Sequence, residues 1–90
     1  MSDPNALPPD YARAARVVDA RGTLCPEPLL RCRAALAEVD VGESVHLLAD
    51  DPHAGIDLAV YARRSGNPVL REDERDGVLH LLIRNASGAA

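Results

Sequence analysis

Ninety residues, 47% of them hydrophobic, are enough for one small domain with a single two-layer core and too few for two domains. A net charge of −4, with two tyrosines and no tryptophan or phenylalanine, argues against nucleic-acid binding, which needs cationic surface and stacking platforms, so protein partners are expected. All ten basic residues are arginine, which excludes Schiff-base lysine chemistry and a Walker-type phosphate loop.

Residues 1–14 hold three of the seven prolines and no stable period, so the sequence predicts a mobile extension there. A domain over 15–86 and a frayed tail over 87–90 follow. No charged start precedes an apolar stretch, and no run nears the roughly 18 apolar residues of a membrane span. The expected setting is the cytoplasm, without membrane contact, where cysteines stay reduced.

The valine-rich run Arg16–Ala20 predicts a first strand, closed by Gly22 and Thr23. Cys25-Pro26 comes next. Proline suits the first helical position, where its missing N–H would be unpaired anyway, so Cys25 reads as the N-cap residue. The helix dipole and nearby Arg21 then favour thiolate over thiol. Pro26 and Pro28 remove two of the free donors at this helix end, leaving the Glu27 amide nearest the sulfur, so the expected fall in thiol pKa is moderate. A thiol titrating near ambient pH suits sulfur exchange better than acid–base work. The competing reading is a buried, inert thiol.

From Pro26 to about Glu38 the apolar residues Leu29, Cys32, Leu36 and Val39 fall at helical spacing. Cys32 therefore reads as a small core residue, with a resolving partner for Cys25 as the alternative. Seven helical residues rise about 10.5 Å, beyond the roughly 7 Å limit between the Cα atoms of a disulfide, so that alternative needs an unwound helix. A metal site is not expected either, since neither cysteine has a second ligand at a binding spacing.

Ser44–Ala49 alternates as a second strand, with Val45, Leu47 and Ala49 on one face and His46 and Leu48 on the other. Asp50-Asp51-Pro52 is a helix start in which the acids read as caps. The second helix, to about Arg64, buries Ala54, Leu58, Tyr61 and Ala62 and stops at Gly66. Val69 to about Glu74 and Val78–Arg84 form strands joined by the hairpin pair Asp76-Gly77. His46 and His80 should share the sheet's open face as a solvated or partner-facing surface. The order βαβαββ implies an α+β two-layer sandwich: a mixed four-stranded sheet with both helices on one face.

The stretch Val17-Val18-Asp19-Ala20-Arg21-Gly22-Thr23-Leu24-Cys25-Pro26-Glu27-Pro28-Leu29-Leu30-Arg31 resembles the signature of the TusA/SirA family of small sulfur carriers. The likeness continues through Gly42-Glu43, Ala49-Asp50-Asp51-Pro52, Asp57, Gly66 and the terminal hairpin, covering about residues 16 to 85. It implies the same βαβαββ sandwich and a sulfurtransferase-type role without a cofactor. Cys25 would take sulfane sulfur as a persulfide from a cysteine desulfurase or rhodanese-like donor. An acceptor cysteine, such as one on a DsrE-type protein, would receive it. The implied pathways are tRNA thiolation, molybdenum-cofactor assembly and sulfur oxidation. Arg21, Pro26, Glu27, Arg31, Asp50 and Asp51 are the candidate thiolate-stabilising or partner-docking residues. The chain departs from the family pattern at Ala34, Ala62 and Asn67. Two competing readings are a regulatory or scaffold module of the same fold and a redox sensor bridging Cys25 to Cys32.

Overall fold

A computed structural model describes residues 6–87. A 3-10 helix at Pro9–Arg13 precedes β1 (Arg16–Asp19), α1 (Glu27–Leu36), β2 (Ser44–Ala49), α2 (Ala54–Ser65), β3 (Val69–Arg75) and β4 (Val78–Arg84). The strands order as β1-β2-β4-β3, with β1 parallel to β2 and the other pairs antiparallel. This is the mixed α+β sandwich, βαβαββ, that the sequence pattern requires.

Alternation does the sorting. Val45, Leu47, Leu81 and Ile83 point from the two central strands into the layer where Cys32, Ala35, Leu36 and Leu58 of the helices meet them, all buried. Each large aliphatic side chain so enclosed contributes roughly 2 kcal/mol. The β3–β4 hairpin turns through Asp76 at φ 53° and Gly77 at φ 78°, the left-handed pair that a two-residue turn with the right twist demands. β3 is an outer strand whose charged run Arg71-Glu72-Asp73-Glu74-Arg75 alternates between half-buried and exposed positions.

Two expectations need correction. The extension expected to be mobile over residues 1–14 has a packed segment: Tyr11 of the 3-10 helix is buried, and its hydroxyl donates to Asp73 Oδ2 at 2.7 Å. It also lies 3.1 Å from the His80 carbonyl oxygen. Consequently the face expected to be solvated or partner-facing is covered by this chain's own Tyr11. His46 and His80 are 8% and 9% exposed, under the Tyr11 ring, whose centroid is 4.6 Å from that of His46. The imidazoles bond to each other, His46 Nε2 to His80 Nδ1 at 2.8 Å, an arrangement that needs one nitrogen to donate and the other to accept. Burial, with His80 as neighbour, lowers the His46 pKa; burial and nearby Arg75 lower that of His80. At the other terminus the Ala86 and Ser87 amides donate to Asn67 Oδ1. The rest of the expected frayed tail, 88–90, lies outside the described residues, as do residues 1–5.

Candidate functional site

The loop between β1 and α1 is held by the two acids that follow β2, Asp50 and Asp51. Gly22, at φ 79°, makes the turn a side chain would strain, and its amide donates to both carboxylate oxygens of Asp50 at 3.0 and 3.2 Å. Thr23 Oγ1 donates to the Ala20 carbonyl at 2.6 Å. Three residues after Gly22, the Cys25 amide donates to Asp51 Oδ2, while Asp51 Oδ1 accepts the His53 amide at 3.0 Å. Asp51 is buried and its pKa is lowered by those bonds, that from His53 first. One carboxylate thus braces the turn that leads into α2 and the backbone of Cys25. Asp50 and Asp51 are therefore loop-holding residues and not the caps read from the sequence, because α2 begins only at Ala54, with His53 at the N-cap position and no side-chain cap.

Cys25 stands one residue further from α1 than its expected N-cap position, because Pro26 takes the cap position and the helix begins at Glu27. The Cys25–Pro26 peptide bond is cis. The electrostatic expectation fails here for a local reason. Pro26 and Pro28 have no N–H, and the Glu27 amide donates to the Leu24 carbonyl at 2.8 Å. No donor of the helix end is left for the sulfur among these. Instead the thiol is itself the donor, to Asp57 Oδ2 on α2 at 2.7 Å. That hydrogen bond, partial desolvation and the negative charges of Asp57 and Asp51 push the thiol pKa up rather than down.

The arginines do not offset this. Arg21 forks onto Asp19, with Nε to Oδ1 at 2.9 Å and a terminal nitrogen to Oδ2 at 2.7 Å, holding the Asp19 carboxyl at about 2. Arg31 donates to Glu27 Oε1 at 3.1 Å and to the Asp19 carbonyl at 3.4 Å. Both are exposed and paired elsewhere, so the structure brings Asp51 and Asp57 to Cys25 but not Arg21 or Arg31. Asp57 was visible in the sequence only as part of the family resemblance. Its contact spans 32 residues, and no spacing rule reaches that far.

Exposed apolar side chains accompany Cys25 and Asp57. Leu24, next to Cys25 in the chain, is 78% exposed, and Ile56 and Val60, flanking Asp57 on α2, are 66% and 44% exposed. Asp57 also borders a groove of about 410 Å³ between the helices, lined by Leu29, Arg33, Val60 and Tyr61 among others. Cys32 contrasts sharply: it is fully buried, and desolvation raises its thiol to about 12. Among the described residues no group of three or more His, Cys, Asp or Glu is arranged to hold a metal, and no helix is long and apolar enough to cross a membrane.

A two-layer sandwich presenting one exposed cysteine ahead of a proline-started helix defines a recognisable class of small thiol proteins. The family model described as "Sulfurtransferase TusA" matches residues 16–85, so the chain belongs to the TusA family. It is 41% identical over 68 residues to a putative sulfur carrier protein of Archaeoglobus fulgidus, covering 74% of this chain and 88% of that one. It is 33% identical over 69 residues to sulfur carrier protein TusA of Allochromatium vinosum, covering 77% and 91%. Among solved structures, a SirA-like protein from Desulfitobacterium hafniense superposes with a TM-score of 0.71 at 32% identity, covering 79% of this chain and 97% of that one.

Proposed function

We propose that this chain is a sulfur carrier in which Cys25 accepts a sulfane sulfur as a persulfide and passes it to a cysteine of an acceptor protein. One observation carries the reading. Cys25 is exposed on a loop pinned by Asp50 and Asp51, whereas Cys32 is sealed in the core. A carrier needs its sulfur presented to two successive partners, and the backbone beneath it fixed.

In loading, the Cys25 sulfur attacks the outer sulfur of a donor persulfide, the donor's S–S bond breaks, and the donor cysteine leaves as a thiol. Unloading repeats the exchange with Cys25 as the leaving group, so neither step changes the net oxidation state. The donor we propose is a cysteine desulfurase or rhodanese-like protein, and the acceptor a DsrE-type or other thiol protein. The sulfur would serve tRNA thiolation, cofactor assembly or sulfur oxidation, in the cytoplasm. Leu24, Ile56 and Val60 supply apolar contact area, with Arg21, Glu27 and Arg31 at the border as docking groups.

Intact-mass measurement after incubation with a cysteine desulfurase and cysteine tests this: persulfidation adds about 32 Da. The adduct is expected on the wild type and on Cys32→Ala, and absent from Cys25→Ala. A wild-type chain that binds the desulfurase yet gains no mass would instead be the regulatory or scaffold module.

A further inference from the structure

Building on the carrier reading, we propose that Asp57 is the proton partner of Cys25, passing the thiol proton to the departing donor as sulfur arrives and giving Cys25 the acceptor's proton as sulfur leaves. The Cys25 Sγ lies 2.7 Å from Asp57 Oδ2, within hydrogen-bond distance. The groups facing it are otherwise accounted for. Asp51 holds the Cys25 amide, Arg21 and Arg31 are tied to Asp19 and Glu27, and His53 lies beside Asp51 at 3.3 Å. In each exchange the attacking thiol loses a proton and the departing thiolate gains one, and Asp57 is the acceptor in contact with the sulfur that can carry it from one to the other.

The exchange balances. On loading, the proton moves from Sγ to Oδ2 while the sulfur's electron pair forms a bond to the outer sulfur of the donor persulfide. The donor's S–S bond breaks, its cysteine departs with that electron pair, and the Asp57 proton neutralises it. On unloading, the acceptor thiol gives its proton to Asp57 and attacks the outer sulfur of the Cys25 persulfide. The Cys25 thiolate leaves and recovers a proton from Asp57. No oxidant or reductant is consumed.

The test is Asp57→Asn in the full chain, read with two reagents whose leaving groups differ. Iodoacetamide expels iodide, which needs no proton. Glutathione persulfide expels a thiolate, which does. Loss of the carboxylate lowers the thiol pKa. Each unit of that fall raises the thiolate fraction tenfold and weakens its nucleophilicity about threefold, so alkylation at neutral pH should quicken by about threefold per unit. Sulfur uptake from glutathione persulfide should instead slow by about 10- to 100-fold, toward the range of a lost acid–base group. This slowing opposes both side effects of the change, since a freer thiolate and one less negative charge near an anionic donor would each hasten uptake. Asp57→Glu, which keeps a carboxylate, should recover most of the uptake while alkylating near the wild-type rate. Uptake by Asp57→Asn at or above the wild-type rate, with the wild type loading normally, overturns the proton role alone. A wild type that takes no sulfur overturns the carrier reading and this role with it.

Discussion

The loop end of the sheet and the face opposite the helices each gather titratable groups, and they treat them in opposite ways. At the loop, Cys25 is exposed while buried Asp51 fixes its backbone and Asp57 accepts its hydrogen bond. On the far face, His46 and His80 are enclosed under Tyr11 and bond to one another. A group that must meet a partner is exposed above a rigid support; a group used for packing is paired and shielded. The same chemistry of proton sharing therefore serves reactivity in one place and cohesion in the other.

Deleting the key group of each region should separate the two. Cys25→Ala should abolish sulfur loading, seen as loss of the mass adduct, and leave the thermal midpoint nearly unchanged. Tyr11→Ala should do the reverse, costing about 3 kcal/mol in a denaturant titration, as large aromatic-to-alanine changes do, with loading intact at low temperature. If Tyr11→Ala also stopped loading, the division between the regions would fail.

Asp51→Ala mixes the two effects and so sharpens the line between them. It removes a carboxylate that accepts from both His53 and Cys25, and should cost about 1–2 kcal/mol, in the range of a lost cap, while slowing loading. Cys32→Ala should cost about 1 kcal/mol for a small core void and leave uptake untouched. Native protein should accept a single alkyl group from iodoacetamide, and unfolded protein two.

The smallest effect is one of pH. Folding lowers the pKa of both His46 and His80, so below the free imidazole value near 6.5 the unfolded chain binds more protons than the folded one. Stability should be fully present above that pH and decline as pH falls through the lowered folded values, seen as a falling melting midpoint. In Tyr11→Ala, where the imidazoles are opened to water, the decline should flatten.

Much of this architecture could be read from local pattern. Asp76-Gly77 announced the hairpin because few pairs adopt left-handed angles cheaply, and the alternation of Val45 and Leu47 fixed which face of β2 meets the helices. Gly22 and the prolines marked the Cys25 loop. What stayed hidden depends on contacts between distant segments. Nothing within residues 9–13 says that Tyr11 will roof two histidines more than thirty residues away, since proline-rich stretches with one aromatic read as extensions. Nor could the direction of the Cys25 shift be inferred, because it turns on where the Glu27 amide points and on a carboxylate from the other helix.

The outer strand β3 carries a further consequence. Its charges read as a palindrome about Asp73, so two copies laid antiparallel around that residue would set Arg71 against Arg75, Glu72 against Glu74 and Asp73 against itself. Ribbon growth from this border is opposed at every rung by like-signed neighbours. The sandwich is thereby made self-repelling along its β3 edge.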